Sequence, residues 1–341
     1  MSRALDKDIV FSNQEEVSQR VYYDIVQALN SSPSERLEIE FLTKGHILPT
    51  GCNILVDENY LGVSKHKLVQ AFVVARKLFF KYLKDTNNFN DQEIRNTTAV
   101  MLLMDAENLT AAHARKRLIQ RCNDSVDLEP ILKQELIWVE GLLTSRLHRH
   151  TKSPTLWNHR RWLLELGNSI QMPYDIHRDL MEVIFVSAER HPRNYYAWQH
   201  LRWILLNIYG DSSPNGTIYL DDENLIATIL AWCTRHPSDT SGFSFLLFCI
   251  SALPERIRCR SEVYSSVCRE VLGLANSFQW THESVWVFLR TLVASRMVSA
   301  DQRAYFYASI KAIAAGTEKI GCKRILVNAE TWCKINEETC N

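Results

Sequence analysis

Glycine and proline are scarce in this sequence of 341 residues, which contains 11 glycines and 9 prolines. Average usage would give roughly 40 such residues in a chain of this length. Hydrophobic residues make up 46% of the chain. This composition favours long helices joined by short turns, in two average domains or in one elongated array of repeats.

The sequence also has no excess of either charge, with 39 basic and 39 acidic residues. It therefore has no global field that would recruit nucleic acid or an anionic membrane, and any electrostatic function must be local. No apolar run reaches the ~18 residues of a membrane span. The N-terminus has early charges and no apolar segment, so we expect no secretory signal and a soluble, cytoplasmic protein.

Signals for a metal or nucleotide site are missing as well. The nine cysteines are scattered without a CxxC pair, which predicts reduced, buried thiols and neither disulfides nor a zinc site. HExxH, GxGxxG and P-loop motifs are absent. His148, His150 and His159 could form a metal set, but their spacing crosses a helix boundary, so we expect no metal on this chain.

Helical patterns cover most of the sequence. They predict one helix at about 14–29 and, from residue 66 onward, helices at about 66–84, 91–104, 109–120, 129–148, 155–166, 174–190, 195–208, 222–235, 240–252, 255–275, 282–297, 301–315 and 319–336. Residues 37–41 and 53–57 alternate apolar and polar side chains, which predicts a short β-hairpin. An irregular extension packed on the first repeat is an equally open alternative.

A repeated motif organises the helical part. In each copy, a capping residue stands four positions before an aromatic or small residue and is followed by basic or apolar residues. The copies lie near 108–118, 153–163, 194–204, 239–248 and 282–291, with capping positions 45, 41, 45 and 43 residues apart. Five such units predict an all-α, right-handed superhelical solenoid of stacked antiparallel helical hairpins over residues 64–341, after an N-terminal extension over residues 1–63.

The recurrent tryptophans and arginines in this motif have two interpretations. A tryptophan at constant phase in a repeat usually fills the core between repeats, and the arginine beside it usually caps or stacks. We therefore expect most of them to be structural.

At these residues the sequence resembles the α subunits of heterodimeric protein prenyltransferases, whose repeat reads approximately Asn-Tyr-x-x-Trp-x-x-Arg-x-Trp. Asn194, Tyr195, Trp198 and Trp203 match this pattern, whereas Leu201 stands at the usual arginine. The resemblance covers about residues 66–300. The degenerate first and fourth units and the unusual N-terminal residues are more typical of a divergent member of the family.

The resemblance implies a crescent of helices wrapped round a β subunit. In the family, that partner carries the catalytic zinc and most of the isoprenoid pocket, so this chain would be inactive alone and would hold no cofactor. It implies geranylgeranyl diphosphate as substrate, a Rab geranylgeranyltransferase β-type partner, and Rab-like or related proteins with C-terminal cysteines as acceptors. The choice between a C15 and a C20 isoprenoid stays open.

One lysine is implicated directly. The family places a lysine just before the second repeat, where it reaches the isoprenoid diphosphate, and Lys152 matches that position. The residues themselves agree, because 141–164 contain no carboxylate but hold Arg146, Arg149, Lys152, Arg160 and Arg161. A cationic patch at a helix N-terminus suits a diphosphate. The alternative is a solvated loop lysine.

Three further residues are implicated in substrate binding. The family places Tyr195 and Tyr196 near the isoprenoid and the substrate tail, although Tyr195 is equally explicable as a core residue. Farnesyl and type-I geranylgeranyl enzymes read the terminal carboxylate of the substrate with a glutamine at the position of Thr155. The shorter Thr155 predicts weaker CaaX recognition. A non-catalytic helical-repeat scaffold for protein–protein interaction is the second hypothesis for the whole chain.

Overall fold

The computed structural model describes residues 14–30, 36–43, 45–84, 90–121, 128–208, 222–252, 260–295 and 297–338. Helices dominate this part of the chain, which confirms the all-α class. The helices are α1 (Gln14–Asn30), α2 (Lys65–Lys84), α3 (Asp91–Met104), α4 (Leu109–Arg121), α5 (Leu128–Leu143), α6 (His148–Thr151), α7 (Pro154–Ser169), α8 (Ile176–Asp179), α9 (Phe185–Arg190), α10 (Tyr195–Asn207), α11 (Asp222–Arg235), α12 (Thr240–Ala252), α13 (Arg260–Ser277), α14 (Glu283–Ala294), α15 (Ala300–Gly316) and α16 (Ile320–Glu338). None of the helices in the described ranges combines the length and apolarity needed to cross a bilayer.

Most predicted helices agree with the structure to within a few residues, but two are interrupted. The predicted helix 129–148 was wrong at its end, because α5 stops at Leu143. The hydroxyls of Thr144 and Ser145 donate to the carbonyls of Glu140 and Leu142, both at 2.7 Å, and compete with further helical bonds. The predicted helix 174–190 contains a π-helical segment between α8 and α9. Residues 255–259 of another predicted helix lie outside the described ranges.

The predicted β-hairpin was wrong in its pairing. Strands do form, as β1 (Glu38–Leu42), β2 (Leu55–Asp57) and β3 (Tyr60–Ser64). However, β1 and β2 do not pair with each other, because β3 lies between them, parallel to β1 and antiparallel to β2. The sequence pattern found two of the strands, whereas the central strand lay outside the predicted pair.

The chain forms two compact units, residues 1–214 and 215–341. In the first unit α1 packs on α2, α2 on α3, α3 on α4, and α5 on α7. In the second unit α11 packs on α12, α12 on α14, α13 on α15, and α14 on α16. Stacked neighbours bury apolar faces that one hairpin would leave exposed. The predicted boundary at residue 64 and the right-handed superhelix stay predictions.

The capping positions of the motif begin five of these helices. Asn108, Ser153, Asn194 and Asp239 each accept a bond from the backbone N–H three residues later, at 3.1, 3.1, 3.4 and 2.9 Å. His282 stands at the fifth position without a capping bond from its side chain. Capping by serine, asparagine and aspartate satisfies amides that a helix start leaves open, and this fixes where each helix begins.

Polar side chains at the start of these helices also connect neighbouring repeats. Ser153 Oγ donates to the carbonyl of Ala106 at 3.1 Å, and Asn194 Nδ2 donates to the carbonyl of Thr151 at 2.9 Å. In the second unit Ser284 Oγ donates to the carbonyl of Pro237. Each acceptor lies two residues before the preceding capping position. The same short motif therefore starts a helix and sets its register against the previous repeat.

The motif tryptophans are structural, as predicted. The indoles of Trp157 and Trp286 donate to the carbonyls of Thr151 and Trp280, both at 2.8 Å. Both rings are buried. Each tryptophan thus fills the core and ties the helix to the turn that precedes it.

Candidate functional site

Lys152 lies where two consecutive repeats meet in the first unit. It follows the single turn of α6 and precedes Ser153, the cap of α7. The equivalent turn of the next repeat connects α9 to α10 and includes Arg193 at a φ of 60°. Lys152 Nζ donates to the carbonyl of Pro192 in that turn at 3.1 Å. The ammonium group is therefore held between the two turns while remaining partly exposed.

Two histidines lie beside Lys152. The rings of His148 and His191 pack edge to face, with centroids 4.9 Å apart and planes at 85°. His148 and Arg149 are exposed on the same turn as Lys152. We refer to His148, Arg149, Lys152 and His191 as the cationic cluster. His191 was not among the predicted site residues, although a His-Pro pair recurs before two motifs (His191-Pro192, His236-Pro237) and was the signal that marked it.

Several positively charged groups lie close enough to His191 to affect its pKa. Burial lowers the pKa of His191 to about 4, and the charges of His148, Lys152 and Arg190 add to this effect against a backbone hydrogen bond at Ser145. His191 is therefore neutral near pH 7. Within the described residues, no carboxylate pairs with Lys152 or Arg149.

The other predicted members of the patch are used elsewhere, so the interpretation of 141–164 as one carboxylate-free surface was wrong. Arg146 pairs with Glu40 of β1 at 3.7 Å. Arg161 pairs with Glu165 at 3.1 Å, one helical turn along α7. A window without acidic residues in the sequence is thus not free of acids in space.

Arg160 is buried, with 1% of its surface exposed. Its guanidinium donates to Glu140 at 2.9 Å and also binds Asp179. Arg160 Nη1 lies 2.6 Å from Nε2 of His200, and the hydroxyl of Tyr174 donates to Asp179 at 2.7 Å. These contacts leave Arg160 no role in binding a ligand at the surface.

A second buried cluster has the same plan one repeat earlier. Arg115 donates twice to Glu135, both at 2.6 Å, and its guanidinium lies 3.7 Å from the ring centroid of Trp138. His159 Nε2 lies 2.8 Å from the same carboxylate. In both clusters the arginine stands seven residues after a capping position, and the histidine stands six residues after the next one. The arginine seven residues after the capping position is therefore part of the contact between repeats.

Burial sets the protonation of these clusters. Burial alone would raise the pKa of Glu135, but Arg115 and His159 hold it well below its usual range. Burial lowers the pKa of His159, although Glu135 opposes this. Burial and the charges of Arg160 and Arg161 lower the pKa of His200 further. Both histidines are therefore neutral in the folded protein at neutral pH.

The two candidate tyrosines are at the surface. Tyr195 is 59% exposed and Tyr196 is 39% exposed, and their rings pack edge to face with centroids 5.8 Å apart. The core alternative for Tyr195 was therefore wrong, whereas Trp198 and Leu201 of the same helix are buried. The first residue of α10 has no preceding turn to cover it, and its side chain stays open to solvent.

Thr155 has an acidic neighbour. Its hydroxyl donates to Glu107 Oε2 at 2.6 Å. Glu107 lies just before the first capping position, 48 residues away in the chain. No sequence pattern marks this contact, because it forms only when the first two repeats stack.

The three histidines of the possible metal set have different partners. His150 Nε2 lies 3.0 Å from the carbonyl of Leu102, His159 contacts Glu135, and His148 packs on His191. Across the described residues, no group of three His, Cys, Asp or Glu side chains is placed to hold a metal.

Two models of known protein families match the part of the chain that contains the candidate site or follows it. A model of the protein prenyltransferase alpha subunit repeat matches residues 132–167, which include α6, Lys152 and most of α7. A model described as the ECM9 middle domain matches residues 156–271.

Curated relatives cover a larger part of the chain. Protein prenyltransferase alpha subunit repeat-containing protein 1 of Homo sapiens is 30% identical over 69% of this chain and 58% of its own length. The protein of that name in Danio rerio is 29% identical over 73% of this chain and 60% of its own length. The chain thus spans little more than half the length of the relatives it matches.

The motif spacing, the degenerate units and these matches all indicate a resemblance to proteins with prenyltransferase alpha subunit repeats. The predicted resemblance is confirmed: this chain is similar to proteins that contain prenyltransferase alpha subunit repeats, and the model of that repeat matches it at the candidate site.

Proposed function

We propose that this chain is the α-type subunit of a heterodimeric protein prenyltransferase in the cytoplasm. It would transfer a geranylgeranyl group to C-terminal cysteines of Rab-like or related proteins. A β subunit of the Rab geranylgeranyltransferase type would carry the zinc and most of the isoprenoid pocket. The chain would therefore be inactive alone.

The placement of Lys152 carries this proposal. Its ammonium joins two repeat turns through the carbonyl of Pro192, and among the described residues it has no carboxylate partner. Arg149 is exposed on the same turn. An ammonium held by a neutral carbonyl keeps its full charge for an incoming anion.

The chemistry needs such a charge. An acceptor thiolate attacks the allylic carbon of the isoprenoid diphosphate, the carbon–oxygen bond breaks, and its electron pair leaves with the diphosphate. Zinc on the β partner would bind the acceptor cysteine and favour loss of its thiol proton, so that the sulfur attacks as a thiolate. Lys152 would bind the diphosphate and stabilise the negative charge that grows on the leaving group, and Arg149 would assist in binding.

The contact of Thr155 with Glu107 bears on which class of acceptor protein the complex would use. A free terminal carboxylate approaching Thr155 would meet Glu107, whose carboxylate already accepts the threonine hydroxyl at 2.6 Å. Like charges at such close range repel each other. The contact therefore disfavours the CaaX type of recognition, in which the terminal carboxylate is bound at this position, and supports a Rab-like acceptor that is bound in another way. Tyr195 and Tyr196 offer an exposed aromatic surface to the isoprenoid or the substrate tail.

The test is co-expression with candidate β subunits, followed by size exclusion and transfer of labelled geranylgeranyl or farnesyl diphosphate to Rab-like and CaaX acceptors. Lys152→Ala should leave the 1:1 complex intact and lower kcat/KM roughly 10²-fold, because it removes one charge-stabilising donor. Lys133→Ala is the matched control, because Lys133 is an exposed lysine paired with Glu129 on α5. Equal activity of both variants would remove Lys152 from the mechanism.

A non-catalytic scaffold is the second candidate. It is favoured by the structural use of Arg146, Arg160 and Arg161, which leaves only part of the predicted patch open. If no β subunit copurifies with the chain, the scaffold is the better account. If a complex forms without transfer to any acceptor, the chain is a regulatory partner.

A further inference from the structure

In the cationic cluster, the imidazole of His148 is exposed to solvent beside Lys152, where it could contact a ligand. His148 is exposed, and its ring packs on His191, centroid to centroid at 4.9 Å. Lys152 stands four residues later, and its ammonium binds the carbonyl of Pro192, the residue after His191. Two consecutive residues of the next repeat thus hold His148 and Lys152 side by side.

We propose that His148 is a second contact for the diphosphate group beside Lys152, with His191 holding its ring in position. The identity of the isoprenoid rests on the proposed function, but the recognition itself is of a diphosphate. An imidazole N–H and an ammonium side by side can bind different oxygens of one diphosphate.

The surrounding charges favour an anion at this place. Arg190 of α9 is already ion-paired, because its guanidinium donates to both carboxylate oxygens of Glu38 at 2.7 and 2.8 Å. His148, Arg149 and Lys152 have no acidic partner among the described residues. The open positive charge is therefore on the α6 turn.

The pKa of His191 can report whether diphosphate binds at this cluster. The charges of His148, Lys152 and Arg190 contribute to lowering its pKa to about 4, after burial. A bound diphosphate would offset these charges, so the pKa of His191 should rise on binding. A ligand elsewhere on the protein would leave it unchanged.

The experiment uses the full chain with isotope-labelled histidine and inorganic diphosphate as the probe. Histidine resonances are titrated with pH, with and without diphosphate, and a His191→Gln variant assigns the resonance of His191. Affinity is measured by calorimetry for the wild type, His148→Phe, His148→Gln, Lys152→Ala and the exposed control His113→Gln. His148→Phe keeps a ring against His191 while removing the N–H, so a structural role alone would leave binding intact.

We expect the pKa of His191 to rise with diphosphate, and both His148 variants to weaken binding about tenfold, while His113→Gln has no effect. Wild-type affinity in His148→Phe, or no binding by the wild type, would overturn the proposal. Diphosphate binding without prenyl transfer would sink only the proposed function.

Discussion

At the scale of single residues, the arginine of the repeat motif acts inside the protein. Arg115 and Arg160 each bind acidic side chains from neighbouring helices, and a histidine of the next motif completes each cluster. Buried ion pairs add little net stability compared with apolar residues of similar size, but a broken pair leaves an uncompensated charge in the core. We infer that these clusters fix the register between stacked repeats.

The Arg115 cluster gives a direct prediction. Arg115→Met should destabilise the protein by about 3–5 kcal/mol, because it leaves the buried Glu135 carboxylate without its cationic partner and with only the neutral His159 beside it. The double variant Arg115→Met/Glu135→Leu should recover most of that loss, since both charges are removed together. Urea unfolding followed by circular dichroism measures the three proteins. A double variant no more stable than the single one would show that packing, and not the unpaired charge, dominates.

At the scale of elements, close approach between neighbours decides where a side chain is tolerated. Gly141 of α5 faces the residues just before β1, where the carbonyl of Leu37 lies 3.1 Å from the position a Cβ would occupy. Gly242 of α12 faces Trp232 of α11, whose ring carbon Cζ3 lies only 2.6 Å from that position. Both glycines are placed at contacts between elements that are far apart in the chain or on successive helices.

A matched pair of glycines in the second unit tests this packing. Gly242→Ala should destabilise by about 1–3 kcal/mol, because the Trp232 ring is fully buried and stacked on His236 at 4.2 Å, so it cannot yield. Gly273→Ala on α13 should stabilise by roughly 0.5–1 kcal/mol, since nothing lies within 4 Å of its added methyl group. Thermal unfolding and hydrogen exchange of α12 distinguish the two. Equal shifts for both variants would refute the packing argument.

At the scale of the whole molecule, lowered histidine pKa values are found in the first unit, at His150, His159, His191 and His200. The unfolded chain binds protons at these histidines near pH 6.5, whereas the folded chain binds them only at lower pH. Below about pH 6.5 the unfolded state therefore holds more protons than the folded state, and the free energy of unfolding decreases as the pH is lowered.

We expect unfolding free energy to decrease between pH 7.5 and pH 5.5, by about 1 kcal/mol for each fully buried histidine. His200→Gln should reduce this loss, because the amide can still accept from Arg160 but does not titrate. His113→Gln, at an exposed histidine on α4, is the matched control. Urea denaturation at both pH values is the measurement. An unchanged slope in His200→Gln would contradict the assignment.

The sequence by itself determined the helices, their starts and the repeat spacing. These depend on neighbours within a few residues: Asn194 caps Ala197, and Trp157 reaches the carbonyl of Thr151. Such short-range bonds recur wherever the motif recurs, so the all-α class and the position of Lys152 at a repeat junction could be predicted.

Only the tertiary structure decided which charges are open and which strands pair. The partners of Arg146, Arg160 and Thr155 are Glu40, Asp179 and Glu107, each brought in by packing of another element. The same packing places β3 between the two predicted strands. Charge and register at a site depend on distances in space, and a pattern along the chain contains no information about acids that arrive from other repeats.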